Sequence, residues 1–259
     1  MTKYQPYSRR EFRALFRQWA KRNRKRVATH IAGALFLLAF ETVVLFVTPL
    51  APAVRWYVLG AIHAAVIAAF AYALNSAFLA HDQRAIGHLR GAWGEDNTRS
   101  ELERARRKRV IWGWVDSVTL QAGDIDHLVV TRAGGLVAID SKWRNQADAA
   151  DHQAMVRAAN KAKLRAEALF KTLLKAGRGT HRARSNPFRV TPVVVLWGAV
   201  QTEVPEGACI DGIDFIRGGG LLAWLKKLNG DPIEEAAAAD ILQRLEAFRS
   251  SAWTASAER

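Results

Sequence analysis

The chain has 259 residues, which is enough for one globular domain of ordinary size together with further segments. Lys and Arg number 38 against 24 Asp and Glu, a formal net charge of +14, which favours an anionic partner such as nucleic acid or a lipid headgroup surface. The single cysteine, Cys209, excludes an internal disulfide framework and a cysteine-rich zinc site, so oxygen atoms are the expected ligands of any metal ion.

Residues 1–26 form a basic segment, with ten Lys and Arg and one Glu, directly before a long apolar run. Two predominantly apolar segments follow, at residues 27–48 and 56–80. Each is close in length to the roughly 20 residues that a helix needs to span the hydrocarbon core of a bilayer. Pro49 and Pro52 interrupt the chain between the two runs. The pattern therefore predicts two transmembrane helices, within residues 27–80, that form an antiparallel hairpin.

A signal peptide is the competing interpretation, because a basic start, an apolar stretch and the residues "APA" at 51–53 imitate its three regions. It fits less well, since the apolar region is too long and a second one follows at once. The positive charge before the first span predicts a cytoplasmic N-terminus, and two crossings return residues 81–259 to the same side. We therefore expect a multi-pass protein of the inner (cytoplasmic) membrane with a cytosolic soluble domain.

Two polar residues, Glu41 and His63, lie inside the predicted spans, at equal sequence distances from the loop near Pro52. In an antiparallel hairpin they reach about the same depth, and a carboxylate there needs a partner. We predict that the two side chains form an intramembrane pair. A structural bond between the helices is favoured over a role in transport or sensing.

The soluble part, residues 81–259 with a core at about 90–230, alternates helical and strand patterns. The order predicts an αβββαβ sandwich with a mixed central sheet and closing helices. A polar loop is predicted at 178–187, and Asp231 and Pro232 are expected to begin the last helix. The expected helices cover 93–108 and 149–176, and the expected strands lie within 110–123, 124–130, 135–143, 188–200 and 213–219.

A glycine pair after Ala133 predicts a tight hairpin turn with Gly134 in the left-handed conformation. Residues that face each other across this hairpin then have numbers that sum to about 266. Asp126 is expected opposite Asp140, and Asp124 opposite Lys142. Because side chains alternate along a strand, all four share one face of the sheet.

Two carboxylates placed directly across strands repel each other unless a positive charge lies between them. A divalent cation held by Asp126, Asp140 and the backbone carbonyl of Ser141 would satisfy them, and Mg²⁺ or Mn²⁺ suits such oxygen ligands. Lys142 could then hold or activate a water molecule. Alternatively, Lys142 simply neutralises Asp124 and Asp140 at a solvated strand end.

These residues carry a resemblance to a known family. The segment "GDIDHLVVTRAGGLVAIDSKW" (123–143), preceded by "GAWGE" (91–95), resembles the nuclease-related domain (NERD) family of the PD-(D/E)xK nuclease-like superfamily. The resemblance covers residues 90–144 well and "VTPVVVLWG" (190–198) more loosely. It implies a restriction-endonuclease-like fold and a Mg²⁺-dependent (or Mn²⁺-dependent) phosphodiesterase site.

Carried over residue by residue, the resemblance implies that Asp126 and Asp140 bind metal, that Glu95 supports the site, and that Lys142 assists the nucleophile. The acid at Asp140 departs from the family, which usually has Glu there. Gln153, at the start of the following helix, is a further accessory candidate on the same ground. His127 alternates to the opposite face, so we expect it to be buried and hydrogen-bonded and not a metal ligand.

Beside a phosphodiesterase site, basic side chains favour a nucleic-acid partner, with DNA preferred over RNA. The leading hypothesis is thus a membrane-anchored nuclease. The alternatives are an inactive nucleic-acid-binding module and an assembly module at the membrane. The candidate nucleic-acid contacts are Arg104, Arg106, Arg107, Lys108, Arg109 and Arg144, together with Lys161, Lys163 and Arg165 of the long helix.

Overall fold

The computed structural model describes residues 7–120, 123–175, 189–205 and 207–257, so the loop predicted at 178–187 lies outside the described residues. The chain forms two compact units, Ser8–Leu89 and Arg90–Arg259. Each unit is built on its own hydrophobic contacts.

The first unit contains two long apolar helices. Helix α2 covers Arg24–Val47 and helix α3 covers Pro52–His81, and both are long and apolar enough to cross a membrane. Large apolar side chains on them are exposed, including Phe36 and Tyr72 at 69% and 75%. Exposed apolar surface on helices of this length indicates association with a membrane.

Glu41 and His63 meet between α2 and α3, as the sequence predicted. His63 Nε2 lies 3.0 Å from Glu41 Oε1 and 3.1 Å from Thr42 Oγ1. The Thr42 hydroxyl donates in turn to the carbonyl of Leu38, 2.6 Å away. These contacts fix the pairing of the two helices at one depth.

The basic N-terminal segment contains a helix of its own, α1 (Tyr7–Arg22), whose apolar side packs on the end of α3. Phe78 is fully buried there, and its ring lies 5.3 to 5.7 Å from the rings of Phe12, Phe16 and Trp19. The basic charge of this segment was evident from the sequence, whereas its apolar face was not predicted.

The second unit is a mixed α/β structure around one six-stranded sheet with the strand order β1-β2-β3-β4-β6-β5. Strands β1 to β3 form an antiparallel meander, β3, β4 and β6 run parallel, and β5 is antiparallel to β6. Helix α4 precedes β1, and α5 connects β3 to β4. The elements are α4 (Gln83–Arg107), β1 (Ile111–Leu120), β2 (Gly123–Thr131), β3 (Leu136–Trp143), α5 (Ala149–Lys175), β4 (Val190–Trp197), β5 (Ala208–Ile210), β6 (Ile213–Arg217), α6 (Leu221–Lys227) and α7 (Glu235–Ala257).

Helices cover both faces of this sheet. On one face, α4 and α6 pack through Leu102 and Leu225 against strand residues such as Ile139 and Val195. On the other face, α5 and α7 pack on the alternate residues of β1 to β4. Strand β4 is therefore apolar along most of its length, as expected for a parallel strand that is buried on both faces.

The β2–β3 hairpin has the predicted register. His127 pairs with Ile139 and Val130 with Leu136, so the paired numbers sum to 266. The left-handed residue of the turn is Gly135 (φ +71°), and not Gly134 as predicted. Gly134 is required for a different reason, since a Cβ at this position would lie 2.5 Å from Cβ of Leu228.

Three further expectations differ from the structure. Helix α4 begins at Gln83, ten residues before the predicted start. The helical periodicity of residues 149–176 predicts Leu164 in the core, but it is 63% exposed, because Ala162, Ala166 and Leu169 form the buried stripe of α5. Helix α7 begins at Glu235, so Asp231 and Pro232 precede it and do not cap it.

Candidate active site

The ends of β2 and β3 bring the predicted acidic residues and the lysine together. Asp126 belongs to β2, and Asp140 and Lys142 occupy alternate positions of β3, on the face covered by α5. All three side chains line one cleft of about 390 Å³, together with Asp124. The alternation of side chains along the two strands thus correctly predicted that these four residues share one face of the sheet.

Backbone pairing between β2 and β3 ends next to the acidic residues of the hairpin. Backbone pairing of β2 with β3 runs from Val130 to His127, and beyond it the amide of Ser141 donates to Asp126 Oδ2 at 2.8 Å. The Asp126 side chain thus accepts a backbone hydrogen bond at the strand end. This bond holds the Asp126 carboxylate against β3, beside Asp140.

Lys142 is the positive charge between the carboxylates. Its Nζ donates to Asp140 Oδ1 at 2.6 Å. Burial alone would lower the pKa of Lys142, but the charges of Asp140 and Asp126 outweigh it and raise that pKa above its usual range. In the metal-free chain Lys142 is consequently a protonated hydrogen-bond donor to Asp140.

Asp126 is in the opposite situation. Burial and the neighbouring negative charge of Asp140 raise the pKa of Asp126, while Lys142 and the Ser141 amide lower it to a lesser extent. The folded chain thus disfavours the ionised form of this carboxyl. A second cation near Asp126 would stabilise the ionised form of its carboxyl group.

The donor set suits a hard cation with few protein ligands. Asp140 Oδ2 is buried and has no hydrogen-bond partner among the described residues. Within the same residues, no three of His, Cys, Asp and Glu are grouped as metal ligands, and the acids of the cleft are Asp124, Asp126 and Asp140. One or two carboxylates plus waters and substrate phosphates are the usual ligands of Mg²⁺ in phosphate-processing sites, so the residues fit this ion.

Helix α5 forms the wall of the cleft that faces the carboxylates. Three small side chains, Ala154, Ala158 and Ala162, leave room above the strand ends. Next to them runs a line of basic side chains four residues apart, Arg157, Lys161 and Arg165, here called the α5 basic row. Lys161 and Arg165 were among the residues predicted from the sequence to contact nucleic acid, whereas Arg157 was not, although all three share the same four-residue spacing.

Helix α4 lies on the other face of the sheet, where the hydroxyl of Ser141 donates to Thr98 Oγ1 at 2.8 Å. Trp197 Nε1 donates to the same oxygen at 2.8 Å. Glu95, three residues earlier on α4, is 8% exposed and is not among the described residues that line the cleft. The supporting role implied for Glu95 by the resemblance remains a prediction.

His127 has the buried, hydrogen-bonded place expected for it. It is 2% exposed, and its Nδ1 lies 2.8 Å from Asp116 Oδ1. Asp116 also accepts from Trp114 Nε1 at 2.7 Å and pairs with Arg99 at 3.2 Å. Burial raises the pKa of Asp116, but His127 and Arg99 outweigh it and hold the pKa below its usual range. This network joins β1, β2 and α4.

The basic run predicted to hold nucleic acid lies at the far end of the sheet. Strand β2 rises about 3.3 Å per residue, so its end at Thr131, which pairs with the start of β1, is about 17 Å from Asp126. Arg104 of this run pairs with Glu101, and Arg106 stacks over Trp114. The other members are Arg107, Lys108 and Arg109.

The two remaining candidates lie near the site without lining the cleft. Arg144 directly follows β3 and is exposed, and its amide donates to the carbonyl of Trp197. Gln153 is exposed on the first turns of α5, where its Nε2 donates to Asp211 Oδ2 at 3.0 Å. Neither residue is among the described residues of the cleft.

Comparison of the chain with protein-family models, with curated proteins and with solved structures found no match. The function is therefore inferred from the site itself.

Proposed function

We propose that the chain is a membrane-anchored, metal-dependent nuclease-like protein whose second unit hydrolyses phosphodiester bonds of nucleic acid. The observation that carries the proposal is the convergence of Asp126, Asp140 and Lys142 on one cleft, with Asp140 Oδ2 buried and unpartnered among the described residues. The element order αβββαβ and the resemblance of residues 90–144 to nuclease-related domains support a restriction-endonuclease-like fold.

The cation proposed for this site is Mg²⁺ or Mn²⁺, held by Asp126, Asp140 and the backbone carbonyl of Ser141. When bound, such an ion polarises a phosphate oxygen and lowers the pKa of its bound water. It would also neutralise the charge that the folded chain accumulates when Asp126 ionises next to Asp140.

The chain's own residues supply orientation and charge. The Ser141 amide fixes the Asp126 carboxylate, and the bond to Asp140 fixes the ammonium of Lys142 at the cleft floor. The ammonium of Lys142 can donate to the phosphate oxygen that gains negative charge as a water attacks phosphorus. The proton of that water passes to solvent, and the P–O ester bond breaks with its electron pair on the leaving oxygen, which solvent protonates. The α5 basic row faces the same space.

The test is cleavage of labelled DNA and RNA by the full chain in detergent, with Mg²⁺ and with EDTA. We expect Mg²⁺-dependent cleavage, of DNA in preference to RNA, and a loss of roughly 100-fold or more in Asp140→Asn. Asp240→Asn, an exposed acid on α7, is the matched control and should retain activity. Activity that survives both EDTA and Asp140→Asn would refute the proposal.

A second function is favoured by one specific contact. Lys142 Nζ already supplies a cation to Asp140 Oδ1 at 2.6 Å, as expected of a metal-free binding module that holds nucleic acid or assembles at the membrane. Such a module binds an oligonucleotide equally well in Mg²⁺ and in EDTA and shows no turnover. Metal-dependent cleavage distinguishes the two functions.

The proposed location is the inner (cytoplasmic) membrane, with two spans and with both the N-terminus and the second unit in the cytosol. The ten basic residues within 1–26 support this orientation. Cys209, the single cysteine, is exposed on β5 and reports it directly. A membrane-impermeant maleimide should label Cys209 only after spheroplasts are permeabilised, and labelling of intact spheroplasts would reverse the orientation.

A further inference from the structure

The α5 basic row stands directly above the acidic floor of the cleft. A helix rises about 1.5 Å per residue, so Arg157, Lys161 and Arg165 are about 6 Å apart along α5 and span about 12 Å. All three line the cleft that contains Asp126 and Asp140. The three positive side chains thus form a line along the cleft and are not clustered at one position.

Two members of the row are exposed to solvent. Arg157 and Lys161 make no ion pair with any residue that the structure describes, and both are exposed to solvent. The guanidinium of the third, Arg165, lies beside the start of β2, where a Cβ on Gly123 would be 2.9 Å from its Nη1. The row therefore offers two exposed cations to an anionic ligand, with a third beside β2.

We infer that the α5 basic row binds successive phosphates of a single polynucleotide strand and guides that strand over Asp126 and Asp140. The inference rests on the proposed function and deepens it by naming the residues that position the substrate. A line of cations fits a chain of phosphates better than it fits a single phosphate group. This assigns strand binding to α5 in place of the run at residues 104–109, which lies at the far end of the sheet.

The size of the cleft favours a single strand. About 390 Å³ is at the lower end of the range of small-ligand sites, which is about 300 to 1,000 Å³. The strand ends lie beneath α5, which favours a strand that is unpaired or extruded where it meets the carboxylates, as in enzymes that act on such nucleotides. The three alanines of α5 leave the necessary room for one unpaired strand.

The experiment measures binding without chemistry. The full chain, in nanodiscs of uncharged lipid and with EDTA, is titrated against a fluorescein-labelled 12-mer single strand and its blunt duplex, from about 50 to 200 mM salt. Wild type is compared with Arg157→Gln/Lys161→Gln. The control is Lys171→Gln/Lys226→Gln, which removes two positive charges from exposed positions of α5 and α6 outside the cleft lining. Circular dichroism verifies that each variant is folded.

For the single strand, we expect at least about a tenfold loss of affinity in Arg157→Gln/Lys161→Gln, since each removes a charged hydrogen bond. The slope of log affinity against log salt should become shallower by about 1.4, which is 0.7 for each lost phosphate contact. The control should change affinity by less than about twofold, and the duplex should bind more weakly than the single strand.

An equal loss in both double variants, or no loss in either, would overturn the inference, as would a duplex bound as tightly as the single strand. Displacement of the oligonucleotide by phosphatidylglycerol micelles would assign the row to lipid phosphate and overturn it as well. Because no cleavage is measured, absence of nuclease activity leaves this result standing. Conversely, if the protein cleaves nucleic acid but its binding does not depend on the α5 basic row, the inference is refuted and the proposed function is not.

Discussion

Removal of the negative charge of Asp126 should stabilise the metal-free protein. Asp126→Asn keeps an oxygen acceptor for the Ser141 amide, which donates to Asp126 Oδ2 at 2.8 Å, and eliminates the repulsion by Asp140. Asp126 and Asp140 lie just beyond the last paired residues of β2 and β3, so the Cβ spacing of facing strand residues, about 5 Å, gives the order of their separation. With an effective dielectric constant of about 20, two charges at that distance repel by about 3 kcal/mol.

Most of this repulsion is already offset in the wild type. Lys142 pairs with Asp140, and the charged Asp126 accepts a stronger hydrogen bond than a neutral amide does. We expect a net gain of about 1 kcal/mol in Asp126→Asn, which corresponds to about 2 to 4 °C in the melting temperature of a unit of this size.

The gain should depend on pH in a defined direction. The folded pKa of Asp126 is raised, so its contribution to stability is fully present below the unfolded value of about 3.9 and is lost as pH rises through the folded value. The difference between Asp126→Asn and wild type should thus be largest at neutral and higher pH and shrink towards pH 4.

The assay is thermal unfolding of the full chain in detergent and EDTA, followed by tryptophan fluorescence, with Asp240→Asn as the control for loss of one exposed carboxylate. Added Mg²⁺ should raise the melting temperature of wild type and leave Asp126→Asn unchanged. A variant that is less stable than wild type at pH 8, or a difference that does not vary with pH, would refute the reasoning.

Three further predictions concern packing and the buried network. Asp116→Ala should lower the free energy of unfolding by about 3 kcal/mol at pH 7, because His127 and Arg99 lose a buried partner. Since the folded pKa of Asp116 is lowered, its contribution is present above about pH 4 and is lost as pH falls further, which urea titrations at several pH values would detect. Phe78→Ala should cost about 3 kcal/mol of the packing that holds α1, and trypsin should then cut α1 faster than in Leu164→Ala, whose side chain is exposed. Gly198→Ala should destabilise by about 1 to 3 kcal/mol, because φ is +82° and the new Cβ would lie 2.4 Å from the Arg144 carbonyl oxygen; unchanged thermal unfolding would contradict this expectation.

The sequence by itself determined the features that depend on short-range periodicity. Alternation along β2 and β3 and the glycine turn between them placed Asp126, Asp140 and Lys142 on one face, and the pairing sum of 266 is confirmed. The lengths of the two apolar runs likewise predicted α2 and α3, and their short connection brought Glu41 to His63. Each result follows from local backbone geometry, which repeats every two residues in a strand and every 3.6 in a helix.

Only the tertiary structure decided which helix lies against which part of the sheet. The basic run at 104–109 and the α5 basic row look equally suitable in the sequence, yet α4 carries its run away from the carboxylates and α5 carries its row to them. In the same way, the partner of His127 is Asp116 on another strand. The physical reason is that the periodicity of a helix or strand determines which of its faces is buried. Packing between residues that are distant in the chain determines which other element covers that face.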